Sequence, residues 1–277
     1  MSDKSGRRAS FRHIDAFASR AFEGNSAAIY RADEFPCDRL MLKIAREHNL
    51  SETAWIVPDE SGEADYQLRW FTPAVEVEMC GHATLASGHV VLTEETGRDS
   101  VSFKTLRGAG ILHVARDGDA YAMSLPAWDT KIVNDHPLET TFGTKPQELR
   151  VTTTAAEDSF LARFANEAEV RALSPDFGAM ATQGNLLVIA TAEADAASDY
   201  DVVSRVFVPG AGINEDPVTG AAHAILTPYW AKALGRDGFH AFQASERGGY
   251  LDCRLDGDRA ILGGTCVDVI EGTLLLD

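Results

Sequence analysis

Basic residues are in short supply: 25 Lys and Arg face 42 Asp and Glu across 277 residues, a formal net charge of −17. Such a field repels a nucleic-acid backbone or an anionic membrane surface at long range, which leaves a small molecule as the favoured partner. Any anionic ligand must then be held by local dipoles and backbone N–H groups. Long apolar runs are missing too, since no stretch approaches the roughly 20 residues a membrane span needs. Cysteine is scarce. Cys37, Cys80, Cys253 and Cys266 have no C-x-x-C spacing and no His partner in zinc order, so spacing points to no metal site, and the pattern fits a reducing cytoplasm. Met1 to Arg8 are polar and basic with no apolar core behind them, which argues against a signal or transit peptide and reads as a loose tail.

What is present is ordinary in bulk and unusual in order. A chain 45% hydrophobic and 24% charged is globular, and its length suffices for two packed domains. One short series of motifs is written twice. Gly24-Asn25, Arg69-Trp70-Phe71-Thr72-Pro73 and Gly81 before a small-residue run are followed by Gly184-Asn185, Arg205-Val206-Phe207-Val208-Pro209 and Gly220 before another. The order predicts two copies of one fold, each with a Gly at a helix N-terminus. Two such termini meeting in a cleft would make an anion site.

Period and punctuation place the elements. Phe11 to Phe17 and Ala27 to Tyr30 read as strands around a Glu23-Gly24-Asn25 turn. Asp38 caps an amphipathic helix with Leu40, Met41, Ile44, Ala45 and His48 on one face. Ala54 to Val57 and Tyr66 to Phe71 are strands, Ala83 to Leu92 a helix, and Val101 to Leu125 a set of short strands. Trp128 to Pro146 is polar and turn-rich and marks the crossing between domains, 1–128 and 129–277. A strand follows at Asp158 to Ala162, then a helix at Asn166 to Leu173, strands at Leu186 to Ala190 and Asp201 to Val208, and a helix at Ala222 to Leu234 containing Pro228. Gly248 to Leu276 reads as short strands, of which the one near 265–277 completes the first domain.

Ala83, Ala86, Ser87 and Gly88 in one helix, and Ala221, Ala222 and Ala224 in the other, carry little bulk, so strands can approach closely. The expected fold class is α+β: two pseudo-symmetric domains, each a barrel-like sheet around a central helix.

Chemistry gathers at the two helix starts, in Cys80-Gly81-His82-Ala83-Thr84 and Glu215-Asp216-Pro217-Val218-Thr219-Gly220-Ala221. With Asn49-Leu50-Ser51-Glu52-Thr53-Ala54, the two Arg-containing stretches, Asn214 to Gly220 and Arg247-Gly248-Gly249, these segments resemble the PhzF family of phenazine-biosynthesis isomerases from about Phe11 to about Gly272. The resemblance implies a fold similar to diaminopimelate epimerase, a homodimer, and isomerisation of a compound like trans-2,3-dihydro-3-hydroxyanthranilate without a cofactor. It places the acid/base glutamate on Glu52, the active-site histidine on His82 and the aspartate on Asp216. The substrate carboxylate would rest on backbone amides of Gly81 and Ala83 and of Gly220 and Ala221.

The residues themselves suit these roles. Glu52 precedes the apolar run Ala54-Trp55-Ile56-Val57, a partly dry setting for a carboxylate that takes a proton from carbon and returns it. His82 stands in the first helical turn, where the dipole favours a neutral ring. Asp216 is held extended by Pro217 and is placed to orient an amine or hydroxyl. Cys80 suggests a two-cysteine racemase, but the matching position is Thr219, whose hydroxyl is too weak a base. Ala221 stands where the family usually has Ser, and Gln243-Ala244-Ser245 replaces Gln-Gly-Ser. The reading is a proton-shifting isomerase acting on a small cyclic or unsaturated carboxylate, with a racemase or epimerase and a non-catalytic binding protein as alternatives.

Overall fold

Period-two burial defines many of the strands. In Ala120–Pro126, Tyr121, Met123 and Leu125 are buried while Ala120, Ala122 and Ser124 are half-buried, so one face meets a core. The computed structural model describes residues 7–108, 110–153 and 159–276. Met1 to Gly6, in the expected tail, and Asp158, the expected start of a strand, lie outside them. Arg7 and Arg8 belong to a strand, Arg7–Ala16, because Cys266–Leu276 pairs along its whole length.

The chain forms two units, residues 1–123 with 265–277 and residues 124–264. In the first unit, Arg7–Ala16 lies antiparallel to Cys266–Leu276 and to Asn25–Arg31, which runs parallel to Glu52–Pro58. Next come antiparallel Tyr66–Phe71, which pairs with the short strand Glu76–Val77 and runs parallel to Ser100–Thr105, then the antiparallel strand Ile111–Asp117 and, antiparallel to it, residues 120–123 of the strand Ala120–Pro126. Within the second unit the same sequence of pairings recurs. Thr130–Val133, Glu148–Thr152 and Ser159–Arg163 are antiparallel neighbours, Leu187–Glu193 runs parallel to the last, and Val202–Val208 follows antiparallel. Val202–Val208 pairs with the short Ile213–Asp216 and runs parallel to Gly238–Gln243, ahead of Gly249–Asp256 and Arg259–Gly264. The duplicated motifs therefore mark a duplicated topology, and Thr130–Val133 holds the place in the second unit that the C-terminal strand holds in the first.

The repeated Arg-x-Phe has a structural cause. Arg69 grips Glu76 with two parallel bonds of 2.7 and 2.8 Å, and Arg205 grips Glu215 with two of 2.8 Å. Each guanidinium also lies over its own Phe, at 5.2 Å from the Phe71 centroid and 5.1 Å from that of Phe207. Bidentate pairing fixes orientation as well as distance, so each Arg anchors the short strand that leads into the next helix.

Those helices, Gly81–Glu94 and Gly220–Leu234, both begin at the Gly the repeat singled out. Every residue from Gly81 to Leu92 is buried, as in a helix enclosed on all sides. It packs against Arg7–Ala16, Asn25–Arg31, Glu52–Pro58, Ser100–Thr105, Ile111–Asp117 and Cys266–Leu276. Ala83 and Ala222 are completely buried, as their small size foretells. In the second helix Pro228 has no N–H to give the Ala224 carbonyl, and the backbone N–H of Trp128 fills that place at 3.3 Å. The segment read as a polar crossing thus does structural work at Trp128 and also supplies a strand, Thr130–Val133, which is too short and too exposed to show a period.

Gly88 shows how tightly the first core is closed. A Cβ there would fall 2.4 Å from Cγ1 and 2.6 Å from Cβ of Val114. Because Val114 is β-branched and fully buried, it has little freedom to yield. Gly88→Ala should destabilise the protein by about 1–3 kcal/mol in urea titrations, and adding Val114→Ala should return part of that loss. No change in the urea midpoint would mean that the strand gives way without cost.

Candidate active site

Glu52 opens the strand Glu52–Pro58 and lies opposite Ala27 in the parallel pairing. The same unit places His82 beside it: Nε2 of His82 is 3.0 Å from Oε2 of Glu52, with the side chains only 6% and 14% exposed. His82 is the second residue of its helix, and Cys80 is the residue just before the helix. Cys80 Sγ lies 3.6 Å from Nδ1 and 4.0 Å from Nε2 of His82. Glu52, Cys80 and His82 are thereby brought within 4.8 Å of one another, a donor set able to hold a metal ion. Spacing along the sequence could not show this, because Glu52 arrives from a strand 28 residues upstream of Cys80.

In the second unit the loop before Gly220 is held by its own network. The Thr219 hydroxyl donates to the Asp216 carboxylate, and the Thr219 backbone N–H donates to Gln243 Oε1 at 2.9 Å. Gln243 Nε2 donates to the Asp216 carbonyl at 2.7 Å, and the Ser245 hydroxyl to the Pro217 carbonyl at 2.7 Å. Gln243 is fully buried and bridges both ends of the segment. Gly220 is buried and Ala221 half-buried at the helix start. Thr219, the positional counterpart of Cys80, is thus a donor bound to a carboxylate, which suits a brace and not a base.

Comparison with known proteins agrees with the motifs. Residues 14–272 match the family described as phenazine biosynthesis-like protein. The chain belongs to that family. An uncharacterized isomerase of Pseudomonas aeruginosa is 42% identical over 267 residues, covering 96% of this chain and 98% of the other. A solved PhzF-family structure from Enterococcus faecalis superposes with a TM-score of 0.87 at 36% identity, over 98% of this chain and 100% of that one. A hydroxyproline epimerase from Agrobacterium vitis, at 12% identity and TM-score 0.64 over 100% of this chain and 94% of the other, shares the fold. The phenazine biosynthesis-like chain is an isomerase with the expected α+β, diaminopimelate epimerase-like architecture.

The electrostatics at His82 differ from the sequence expectation. Burial opposes charge on the ring, yet Cys80 and the Glu52 carboxylate outweigh it and lift the imidazole well above its ordinary value. Burial, with the Glu52 charge adding to it, pushes the Cys80 thiol up to about 11 against the opposing influence of His82. The sulfur therefore keeps its proton near neutral pH, and the carboxylate supplies the charge that acts on the ring. Helix-dipole reasoning predicted a neutral ring. A terminus contributes only ~0.3–1 kcal/mol at exposed sites, which a buried carboxylate 3.0 Å away exceeds.

Four cysteines are free in this structure, and among the described residues no helix is long and apolar enough to cross a membrane. Sequence reasoning overlooked Gln243 as a brace. Its signal was a polar residue closing the apolar-alternating strand Gly238–Gln243, where a buried, unsatisfied amide would be costly.

Proposed function

We propose that this isomerase shifts a proton between carbons of a small cyclic or unsaturated carboxylate, with Glu52 as the group that removes the proton and returns it. The observation that supports the reading is the Glu52–His82 pair, 3.0 Å apart and nearly dry, at the start of a buried helix. Glu52 as carboxylate accepts the proton from carbon, and the electron pair left behind spreads into the substrate's unsaturated system. The new anion replaces the carboxylate as the negative partner of the His82 imidazolium, so charge near the ring is conserved through the step. Glu52, now neutral, delivers the proton to a second carbon.

Backbone amides at Gly81 and Ala83, and at Gly220 and Ala221, carry the substrate carboxylate in this proposal, helped by the positive helix ends. Asp216 orients an amine or hydroxyl of the substrate. No cofactor enters the scheme.

Thermal-shift screening of small carboxylates selects a ligand, since a molecule bound to the folded state raises apparent stability. Turnover of that ligand in D2O then decides the reaction. Deuterium at a new carbon supports the allylic shift. Label only at the original stereocentre points instead to a racemase or epimerase, and binding with no label in any product points to a carrier.

A further inference from the structure

Glu52, Cys80 and His82 combine donor types that seldom meet by chance: carboxylate, thiol and imidazole on two elements of one unit. Bonds of about 2.3 Å to sulfur and 2.0–2.2 Å to nitrogen and oxygen put the ligand atoms of a tetrahedral zinc roughly 3.3–3.6 Å apart. The structure holds Nε2 at 3.0 Å from Oε2, and Sγ at 4.0 Å from Nε2 but 3.6 Å from Nδ1, with the ligand atoms of the three residues within 4.8 Å of one another, so the Cys80 side chain must swing round the ring edge for all three to share an ion on Nε2. A second observation concerns the carboxylate itself. Oε2 of Glu52 is buried, and the group that meets it is His82 Nε2 at 3.0 Å. Once the ring gives up its proton, that oxygen has lone pairs available to a cation.

We propose that the Glu52–Cys80–His82 cluster is an inhibitory binding site for a borderline-soft divalent cation, Zn²⁺. Thiolate and imidazole donors select zinc over magnesium or calcium, which take oxygen ligands in larger shells. Glu52 Oε2, Cys80 Sγ and His82 Nε2 supply three positions and water the fourth. Coordination requires the thiol to lose its proton, and the imidazolium to lose one where it is charged; both leave to solvent, and affinity rises with pH. The bound ion occupies the Glu52 lone pair that the proposed reaction uses, so turnover stops while it stays. Only that inhibition rests on the proposed function. Metal uptake does not.

The full chain, freed of metal with a chelator, is titrated with ZnCl₂ by calorimetry and with CoCl₂ by absorption spectroscopy. One ion per chain is expected, with visible bands of four-coordinate Co²⁺ and a sulfur-to-cobalt charge-transfer band in the near ultraviolet. Changes to outer-shell groups alone cost 10–100-fold in metal affinity, so loss of a direct ligand in Cys80→Ser should weaken Zn²⁺ binding by about 100-fold or more and abolish the charge-transfer band. His82→Gln should weaken binding similarly. Cys37→Ser and His240→Gln, at exposed positions, should change neither. Should Cys80→Ser fail to fold, Cys80→Ala takes its place, and a circular dichroism spectrum matching the parent qualifies the variant. Uptake well below one ion per chain, or a charge-transfer band that survives without Cys80, overturns the proposal. With a substrate in hand, Zn²⁺ should inhibit the parent and a chelator restore it. Stoichiometric Zn²⁺ binding without any loss of turnover would overturn the inhibitory role alone.

Discussion

Glu52→Gln should lower turnover by ~10²–10⁴-fold while substrate affinity stays within a few-fold, because the amide keeps the shape of the side chain but cannot take a proton from carbon. The variant isolates chemistry from binding. In the structure only 14% of the Glu52 side chain is exposed, and its close polar neighbour is His82, so the change removes one charge from a nearly dry pair. A second readout follows from that pairing. The carboxylate is what holds the His82 imidazole well above its ordinary value near neutral pH, so the ring should titrate at lower pH in the variant, as followed by NMR. Turnover close to the parent's would remove Glu52 from the proton path. A lost turnover with an unmoved His82 titration would mean that the two side chains are not coupled in solution.

Acidification from pH 6.5 to 4 should destabilise the fold by about 3 kcal/mol through His223 alone, at 1.36 kcal/mol per pKa unit. His223 is fully buried in the helix Gly220–Leu234, with Nδ1 2.8 Å from the Thr219 carbonyl and Nε2 3.5 Å from the Ser204 hydroxyl. Burial pushes its imidazole down to about 4, against the modest lift of the Thr219 carbonyl. A folded value below the unfolded one means that the unfolded chain binds the proton first. The stabilising contribution is therefore complete above about pH 6.5 and is lost as pH falls towards 4. His48 and His89, also lowered by burial, push in the same direction. His82 does not interfere, since its raised value makes its contribution full below pH 6.5 and lost only as pH rises. Urea unfolding at pH 7, 5 and 4 measures the loss, and His223→Gln should remove the His223 share of the slope. Parallel pH profiles for parent and variant would show that other groups cause the acid sensitivity.

Legibility in the sequence followed the range of the forces involved. The helix Asp38–His48 and the strand Tyr66–Phe71 were readable because their period and turn residues are local. Thr130–Val133 was not, because a four-residue exposed strand exists only through its pairing with Glu148–Thr152. Arg69 and Arg205 were visible as a repeat but not as braces. Their carboxylate partners Glu76 and Glu215 lie 7 and 10 residues on, at unequal spacing, so the motif does not carry its own explanation.

From the sequence alone came the duplication, the two glycines that start the central helices, the acidic charge that favours small ligands, and the motif-bearing residues Glu52, His82 and Asp216. Each is a property of residue type and order, which hydrogen-bonding and apolar periods convert directly into elements. Tertiary structure alone decided that Cys80 and His82 would share a cluster with Glu52, that Gln243 would brace the Asp216 loop, and that Trp128 would satisfy the carbonyl left open by Pro228. Those outcomes depend on the register of long-range pairings such as Ala27 with Glu52. A shift of one residue would turn each side chain of that strand to the opposite face, and no local pattern fixes the register before the strands meet.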